Sequence, residues 1–364
     1  MENCWSVRMT ETVMRTSSPY KDQWCYENGL ILKAVEAVWE KTKDPRYFDY
    51  IKQNMDRFVD EEGRIRTYKR EDYNIDQVNQ GKVLLSLYEI TREEKYKKAA
   101  WSVREQLKHQ PRTKEGEFWH KQIYPHQVWL DGLYMAAPFY ARFGEMFGES
   151  ECFSDVVRQV LLIEKHTQDP ETGLLYHGWD ESKGMKWADP VTGCSPNFWG
   201  RAMGWYAMAV VDVLDYLPQE RPGRKEILQV LASLTAALVK VQDPATGLWY
   251  QVLNRRGQEK NYLETSASSM FLYAIAKGVR KGYLSPDWIT AAQKGYDGLI
   301  RNFVKTDAEG KVTLEGVCKV AGLGGNPYRD GSYAYYVSEP VVSDDYKGVG
   351  PFILASLEME QKGF

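Results

Sequence analysis

The feature that most constrains the fold of this chain is a regular alternation of two kinds of predicted helix. Residues 96–107 and 227–241 keep apolar side chains at three- and four-residue spacing among charged ones. Residues 129–139, 203–214 and 270–276 are apolar nearly all round. A helix with one apolar stripe shows its other face to water, whereas a helix that is apolar on every side must be covered on every side. The alternation therefore predicts an inner ring of covered helices wrapped by an outer ring of half-exposed ones.

Two repeated signals indicate that these helices form a closed array. In short segments between helices a glycine follows two or three polar residues, which is typical of a tight hairpin turn; these glycines are Gly63, Gly116, Gly173, Gly247 and Gly310. The apolar helices begin with small and polar residues at 27–29, 76–81, 131–132, 200–201, 264–266 and 344–350, and residues 2–15 can supply a twelfth helix. The sequence predicts an all-α (α/α)6 barrel, with short hairpins at one mouth, as a single catalytic domain over residues 1–364.

An open helical-repeat solenoid is the alternative fold. It needs atypical polar caps at both ends, and the sequence has none. Local signals for helix starts agree with either fold: Asp44 before Pro45 and Ser285 before Pro286 each place a capping side chain ahead of a proline.

Composition excludes several classes of protein. The net charge is −3 with no basic cluster, which argues against a nucleic-acid partner. No apolar stretch is typical of a signal peptide or a membrane span. The five cysteines are far apart and contain no CxxC pair, which favours a reducing cytoplasm over a disulfide framework or a zinc site. We expect a cytoplasmic protein that is a monomer or weak homo-oligomer, without contacts to membranes or nucleic acid.

If every inner helix starts at one mouth of the barrel, the polar residues of their first turns converge there. The helix starts contribute Asn28, Asp76, Asp131, Arg201 and possibly Asp344, and the preceding hairpins add His120, Lys121 and His177. An aspartate in a first turn often serves only the positive end of the helix dipole, and this reading stays open for Asp76 and Asp344. The frequent aromatic residues, with 12 Trp and 24 Tyr, could either fill the core or line a sugar-binding cleft.

Asp131 is the strongest catalytic candidate among these residues. It is a lone carboxylate between Trp129-Leu130 and Leu133-Tyr134 in an otherwise apolar helix. A charge in such a place costs several kcal/mol unless it is paired or serves a function. We therefore predict that Asp131 is a general acid.

The histidines divide into two groups by their position. His120 and His177 occupy equivalent places in two successive hairpins, which favours contact with a substrate over a structural role. His109 and His166 lie near the ends of charged helices and are expected at the surface, and His126 could cap the helix that follows it. No spacing of histidines, cysteines and carboxylates is typical of a metal site, and motifs for nucleotide binding or serine hydrolysis are absent, so no cofactor is expected.

The segment HKQIYPHQVWLDGLYMAAPF at 120–139 resembles glycoside hydrolase family 105, the unsaturated rhamnogalacturonyl hydrolases. The resemblance extends nearly end to end through YENG, DQVNQGK, TGLLYHGWD, WGRAMGWY, AGLGG and YRDGSYAYYVSE. It implies an (α/α)6 barrel without metal or cofactor, with Asp131 as proton donor and Asp76 as second carboxylate. It also implies sugar-binding roles for His120, His177, Trp199, Arg201 and Trp205, and less distinctly for Asn28.

The resemblance implies hydrolysis of lyase-generated rhamnogalacturonan oligosaccharides at their unsaturated uronic acid. Protonation of C4 would be followed by attack of water on C5, so that one acid suffices where ordinary glycosidases need two flanking carboxylates. Arg201 is the cation best suited to the substrate carboxylate, and a structural ion pair is the alternative role for it. The alternatives are a family 88-like unsaturated glucuronyl hydrolase acting on glycosaminoglycan fragments, an inverting glycosidase, a sugar isomerase and a non-catalytic helical-repeat binding protein.

Overall fold

A computed structural model describes residues 4–16 and 21–361. In this part of the chain thirteen α-helices account for most of the fold. In chain order they are α1 (Trp5–Thr16), α2 (Tyr26–Thr42), α3 (Pro45–Asp56), α4 (Gly81–Thr91), α5 (Glu94–His109), α6 (Leu130–Phe147), α7 (Ser150–Thr167), α8 (Gly200–Val213), α9 (Arg224–Lys240), α10 (Thr265–Arg280), α11 (Ile289–Phe303), α12 (Tyr333–Ser338) and α13 (Tyr346–Met359).

Six of these helices form a closed inner ring. Going round the ring, α2 packs on α4, α4 on α6, α6 on α8, α8 on α10, α10 on α13, and α13 returns to α2. The helices α1, α3, α5, α7, α9 and α11 lie outside and pack on the inner helices. The predicted (α/α)6 barrel is confirmed, and the open solenoid is wrong because the first and last inner helices are in contact.

Burial separates the two rings as the alternation predicted. In α8 every residue but Asp212 is buried, whereas α11 buries little more than a stripe of small residues and Leu299. An inner helix is covered by two ring neighbours and an outer helix, so it needs apolar residues all round. The hydrophobic core therefore fills both the ring interior and the space between the rings.

The predicted hairpin turns connect outer helices to inner ones. Their glycines all have φ between +75° and +114°, a region that side chains rarely adopt; they are Gly63, Gly116, Gly173, Gly247 and Gly310. At Gly247 an added Cβ would also lie 2.7 Å from the backbone of Gly295 in α11. These turns return the chain to the same mouth of the barrel each time.

Short antiparallel sheets tie the mouth together. The strands are β1 (Gln127–Trp129), β2 (Gly178–Asp180), β3 (Val304–Thr306), β4 (Val312–Leu314), β5 (Val317–Cys318) and β6 (Val341–Val342), and they pair β1 with β2, β3 with β4 and β5 with β6. Trp129 is opposite Gly178, and the backbone N–H of Leu130 donates to the carbonyl of His177 at 3.0 Å. This pairing brings the start of α6 beside the hairpin that carries His177.

Some predicted helix starts are shifted. Asp44 caps α3 by accepting from the N–H of Arg46, as expected. Pro286 instead begins a 3-10 turn, Pro286–Trp288, ahead of α11. Asp344 lies outside the last helix with φ of +58°, and Asp345 is the residue that caps α13. Among the residues that the structure describes, no helix is long and apolar enough to cross a membrane.

Candidate active site

Asp131 lies in the first turn of α6, at the mouth where the inner helices begin. Its side chain is 15% exposed, and its Oδ2 atom is 3.3 Å from Nε2 of His177. Both Oδ2 and this Nε2 are buried, and neither has a hydrogen-bond partner within residues 4–16 and 21–361. Buried polar atoms are nearly always hydrogen-bonded, so this pair is poised to change geometry or to accept a ligand.

His177 packs against three aromatic rings, those of Trp129, Trp199 and Tyr336. Its Nδ1 is 2.7 Å from the hydroxyl of Tyr336, and its ring centroid lies 4.7 Å from Trp199 and 5.5 Å from Trp129. Trp199 stacks on Tyr336 at 5.8 Å. The imidazole therefore has one nitrogen bound to a tyrosine and the other facing Asp131.

Asp76 forms the second half of the mouth. It lies in a 3-10 turn, Ile75–Val78, just before α4 instead of within the helix. Its Oδ2 is 2.6 Å from Nζ of Lys121, and its Oδ1 is 3.5 Å from Nε2 of His120. Burial acts to raise the pKa of Asp76, but the charge of Lys121 and its hydrogen bond to the carboxylate act to lower it, and this pKa lies below its ordinary value.

Local pairing places His120 and Lys121 beside Asp76. The N–H of Ile75 donates to the carbonyl of His120 at 3.1 Å, and Asn74 pairs with Lys121. The His120 ring stacks on Trp129 at 4.4 Å. Burial lowers the pKa of His120 to about 4, so the ring is neutral near pH 7.

Gly132 allows His120 to lie against the start of α6. An added Cβ at Gly132 would lie 3.1 Å from Nδ1 of His120. Gly132 follows Asp131 directly, and the charges of both Asp76 and Asp131 act to raise the pKa of His120 against the larger effect of burial. The two aspartates therefore share one histidine neighbour.

Arg201 reaches the same mouth but is held by protein groups. Its Nη1 donates to the carbonyl of Cys318 and lies 3.4 Å from the hydroxyl of Ser266. The Glu264 carboxylate accepts from both the Ser266 hydroxyl and the Cys318 N–H. The guanidinium lies 4.9 Å from the Trp199 ring centroid, and its Nε has no hydrogen-bond partner in the described chain.

Three more aromatic residues, Trp205, Tyr134 and Tyr26, pack against one another in the inner helices. Trp205 stacks on Tyr134 at 5.0 Å and meets the Tyr26 ring edge-on at 6.2 Å. Asn28, one turn into α2, uses its amide to bind the carbonyls of Lys21 and Gln23. The mouth thus has an aromatic base with charged and imidazole groups above it, which suits the apolar faces and hydroxyl groups of a sugar.

The family of the chain follows from comparison with known proteins. The model for Glycosyl Hydrolase Family 88 matches residues 2–362. The chain belongs to this family. A solved structure of a C. acetobutylicum ATCC 824 glycoside hydrolase from family 105 is 49% identical to this chain. The match covers 98% of this chain and 99% of that one, with a TM-score of 0.96. The resemblance to family 105 is therefore confirmed.

Two curated proteins are also similar to this family 88 chain. The unsaturated rhamnogalacturonyl hydrolase YesR of Bacillus subtilis (strain 168) is 31% identical over 258 residues, which cover 69% of this chain and 70% of YesR. Protein Atu3128 of Agrobacterium fabrum is 41% identical over 230 residues, which cover 62% of this chain and 97% of Atu3128. Together with the family match, they identify the chain as a glycoside hydrolase of the family 88 and 105 type.

Most of the predicted site residues of this glycoside hydrolase lie at one mouth. Asp344 does not join them, because its carboxylate accepts a hydrogen bond from the N–H of Leu314. His126 is not a helix cap, since its Nδ1 is 3.3 Å from Glu181. His166 is not a surface residue: it is 15% exposed and stacks on Trp179 at 4.0 Å, whereas His109 is exposed as predicted.

Three residues at the mouth were not singled out from the sequence: Tyr336, Trp129 and Tyr26. Each lies within a segment that carries the family resemblance, YAYYVS, WLDG or YENG. Burial raises the pKa of Tyr26, and the charges of Glu27, Asp76 and Asp131 act in the same direction, whereas that of Arg201 lowers it. Among the described residues no group of three or more histidines, cysteines and carboxylates is arranged to hold a metal ion.

Proposed function

We propose that this glycoside hydrolase removes the unsaturated uronic acid from the non-reducing end of lyase-generated rhamnogalacturonan oligosaccharides. Asp131 is the proton donor, and Asp76, His120, Lys121, His177, Trp199, Arg201, Trp205 and Asn28 contact or orient the sugar. The printed name of the Bacillus subtilis relative supports this choice of substrate. No metal or other cofactor takes part.

The observation that carries the proposal is the setting of Asp131. Its Oδ2 is buried 3.3 Å from His177, without a hydrogen bond in the described chain, and His177 itself packs against the rings of Trp129 and Trp199. A carboxyl group left without hydrogen-bond partners in a cleft is costly unless a substrate or a reaction uses it. General acid catalysis is such a use.

The reaction proceeds by hydration of the C4=C5 double bond. The Asp131 carboxyl gives its proton to C4, and the positive charge that forms at C5 is shared with the ring oxygen. Water then attacks C5 and gives a proton to the Asp131 carboxylate, which restores the acid. The hemiketal at C5 opens to a ketone as the bond from C5 to the ring oxygen breaks, and this oxygen becomes a hydroxyl group on C1. The hemiacetal at C1 then collapses to an aldehyde and releases the remaining oligosaccharide as an alcohol.

Asp76 orients the sugar or the attacking water. Its ion pair with Lys121 keeps it ionised, as the lowered pKa indicates, so it accepts hydrogen bonds and does not compete as the acid. Arg201 supplies the nearby positive charge for the uronate carboxylate. The neutral His120 completes the wall between the two aspartates.

The test is to mix the purified protein with unsaturated rhamnogalacturonan disaccharide and, separately, with unsaturated chondroitin disaccharide. Absorbance of the conjugated double bond reports each reaction. At equal concentrations in separate assays, we expect absorbance to fall with each substrate, and much faster with the rhamnogalacturonan disaccharide. A faster reaction on the chondroitin disaccharide would assign the glucuronyl activity instead.

A saturated disaccharide of the same sugars is the control. Release of reducing sugar from it, with no activity on either unsaturated one, would indicate a conventional glycosidase and contradict the proposal. We further propose that the chain acts as one catalytic domain in the cytoplasm, where its five cysteines, all free of disulfides, would stay reduced.

A further inference from the structure

Tyr336 is the residue that binds the far side of His177. It lies in α12, is fully buried, and its hydroxyl is 2.7 Å from Nδ1 of the imidazole. Its backbone is fixed as well: the N–H donates to the carbonyl of Ser332 at 3.1 Å, and its carbonyl accepts from Nε2 of Gln251 at 3.0 Å. The tyrosine is therefore held in place independently of the histidine.

The direction of the hydrogen bond follows from the partners that are present. Within the described residues the Tyr336 hydroxyl has Nδ1 of His177 as its hydrogen-bond partner and no other. If Nδ1 carried a proton and donated it, the buried hydroxyl hydrogen of Tyr336 would have no acceptor, at a cost of about 1–3 kcal/mol. Burial also raises the pKa of Tyr336 well above its ordinary value, so the hydroxyl keeps its hydrogen.

The other nitrogen of the ring leads to the same conclusion. Nε2 faces Oδ2 of Asp131 at 3.3 Å. With Nδ1 accepting from Tyr336, the hydrogen of the neutral ring is on Nε2, the nitrogen nearer to that oxygen. In the other tautomer, a lone pair on Nε2 would face a lone pair on Oδ2 whenever Asp131 is ionised.

We propose that Tyr336 is a positioning residue that fixes His177 as the Nε2–H tautomer, so that Oδ2 of Asp131 only accepts and Oδ1 carries the proton for the substrate. This inference rests on the proposed function of Asp131 as the acid. Tyr336 acts through His177 and needs no contact with the sugar.

This arrangement keeps the histidine unchanged through the reaction. The proton leaves Oδ1 for C4 and is later replaced from water, while a small tightening of the 3.3 Å contact lets Nε2–H donate to Oδ2. The bond is stronger when Asp131 is ionised, because hydrogen bonds to a charged acceptor are roughly twice as strong as neutral ones. His177 thus stabilises the carboxylate that forms at the moment of proton transfer, without exchanging a proton itself.

The experiment combines nuclear magnetic resonance of ¹⁵N-histidine-labelled protein with steady-state kinetics. The His177 signals are assigned by their loss in His177→Gln. In the wild-type protein we expect His177 to carry its hydrogen on Nε2, and in Tyr336→Phe we expect a mixture of tautomers. The kcat of Tyr336→Phe on the unsaturated disaccharide should fall ~5-fold with KM nearly unchanged, in line with the loss of one hydrogen bond.

Tyr206→Phe is the matched control. Tyr206 is equally buried, and its hydroxyl donates to the carbonyl of Val160 at 2.9 Å, away from both histidines. This variant should show the wild-type His177 signals and kcat. If Tyr206→Phe lowers kcat as much as Tyr336→Phe does, the effect is general destabilisation and the proposal is wrong.

Two further outcomes would overturn the role of Tyr336. The first is wild-type His177 with its hydrogen on Nδ1, a result that needs no variant and no activity. The second is an unchanged kcat in Tyr336→Phe. If the wild-type protein acts on neither unsaturated disaccharide, the proposed function fails, and the tautomer measured in the wild-type protein still decides how Tyr336 and His177 are bonded.

Discussion

Asp131 carries the proton transfers in the proposed reaction, and its replacement separates chemistry from folding. Asp131→Asn keeps the size of the side chain but removes the proton donor. We expect kcat to fall at least ~10²-fold, because general acid catalysis typically contributes 10²–10⁴-fold and this residue serves two transfers. Substrate binding and the melting temperature should change little. Near-wild-type activity in the purified variant would remove Asp131 from the mechanism.

His120 gives the molecule a predictable response to acid. Its pKa is about 4 in the folded protein, against 6.5 for an ordinary histidine, because burial disfavours the charged ring. The unfolded chain therefore binds more protons between these values, and stability falls as pH drops from 6.5 to 4, by up to roughly 3 kcal/mol. In His120→Gln this part of the decline should disappear. Melting temperatures of the wild-type protein and His120→Gln, measured from pH 7 to pH 4, test this. If the two melting temperatures fall in parallel as pH drops, another group causes the loss of stability in acid.

Residue identity predicted only part of the site. Asp131, His120 and His177 stood out because a charge in an apolar helix and two equivalent hairpin positions are visible in the sequence. Tyr336 and the contacts of Arg201 with Cys318 and Ser266 were not visible. They join residues far apart in the chain, and their geometry depends on where α12 and β5 pack, which no local pattern specifies.

At the scale of elements, the turn after α9, which contains Thr246, packs in close contact with Gly298 of α11. An added Cβ at Gly298 would lie 1.8 Å from the carbonyl oxygen of Thr246. The turn cannot yield easily, since Asp243 accepts hydrogen bonds from both the N–H and the hydroxyl of Thr246. Gly298→Ala should therefore destabilise the protein by about 1–3 kcal/mol or more, with kcat per folded molecule retained because α11 is in the outer ring.

Gly184→Ala is the comparison for that variant. Gly184 is exposed, and an added Cβ would meet only the Ser182 hydroxyl at 3.3 Å. Its melting temperature should stay close to the wild type, as for most surface substitutions. Equal destabilisation of the two variants in thermal denaturation would show that the contact between α11 and the turn is not the cause.

The elements themselves were largely predictable, and their ends less so. Apolar spacing identified both kinds of helix, and the polar-polar-glycine signal identified the hairpins. The 3-10 turn that holds Asp76 was not foreseen, because its bonds are the capping of Asp76 by Asn74 and the pairing of Ile75 with His120. Such local alternatives to an α-helix depend on tertiary partners.

For the whole molecule, ring closure is what brings the site residues to one mouth. The first and last of the described helices also meet: α1 packs on α13, and Glu360 accepts from the N–H of Trp5 and the hydroxyl of Ser6, both at 2.5 Å. Closure was predicted because helices that are apolar on every side must be covered, and the sequence has no polar caps for the ends of an open array. Substrate specificity depends on which side chains the closed ring brings together at the mouth, and ring closure by itself does not determine it.

The central claim is that this glycoside hydrolase protonates a carbon atom. Hydrolysis of unsaturated rhamnogalacturonan disaccharide in deuterated water, followed by nuclear magnetic resonance of the released keto sugar, tests it most directly. The account predicts deuterium at C4, because Asp131 takes its proton from solvent and gives it to that carbon. That deuterium should have a single configuration at C4, since one carboxyl group delivers it to one face of the double bond. A conventional hydrolysis would instead release the unsaturated sugar, which then takes deuterium at C4 from bulk solvent on either face. Early product with both configurations at C4 would therefore contradict the account.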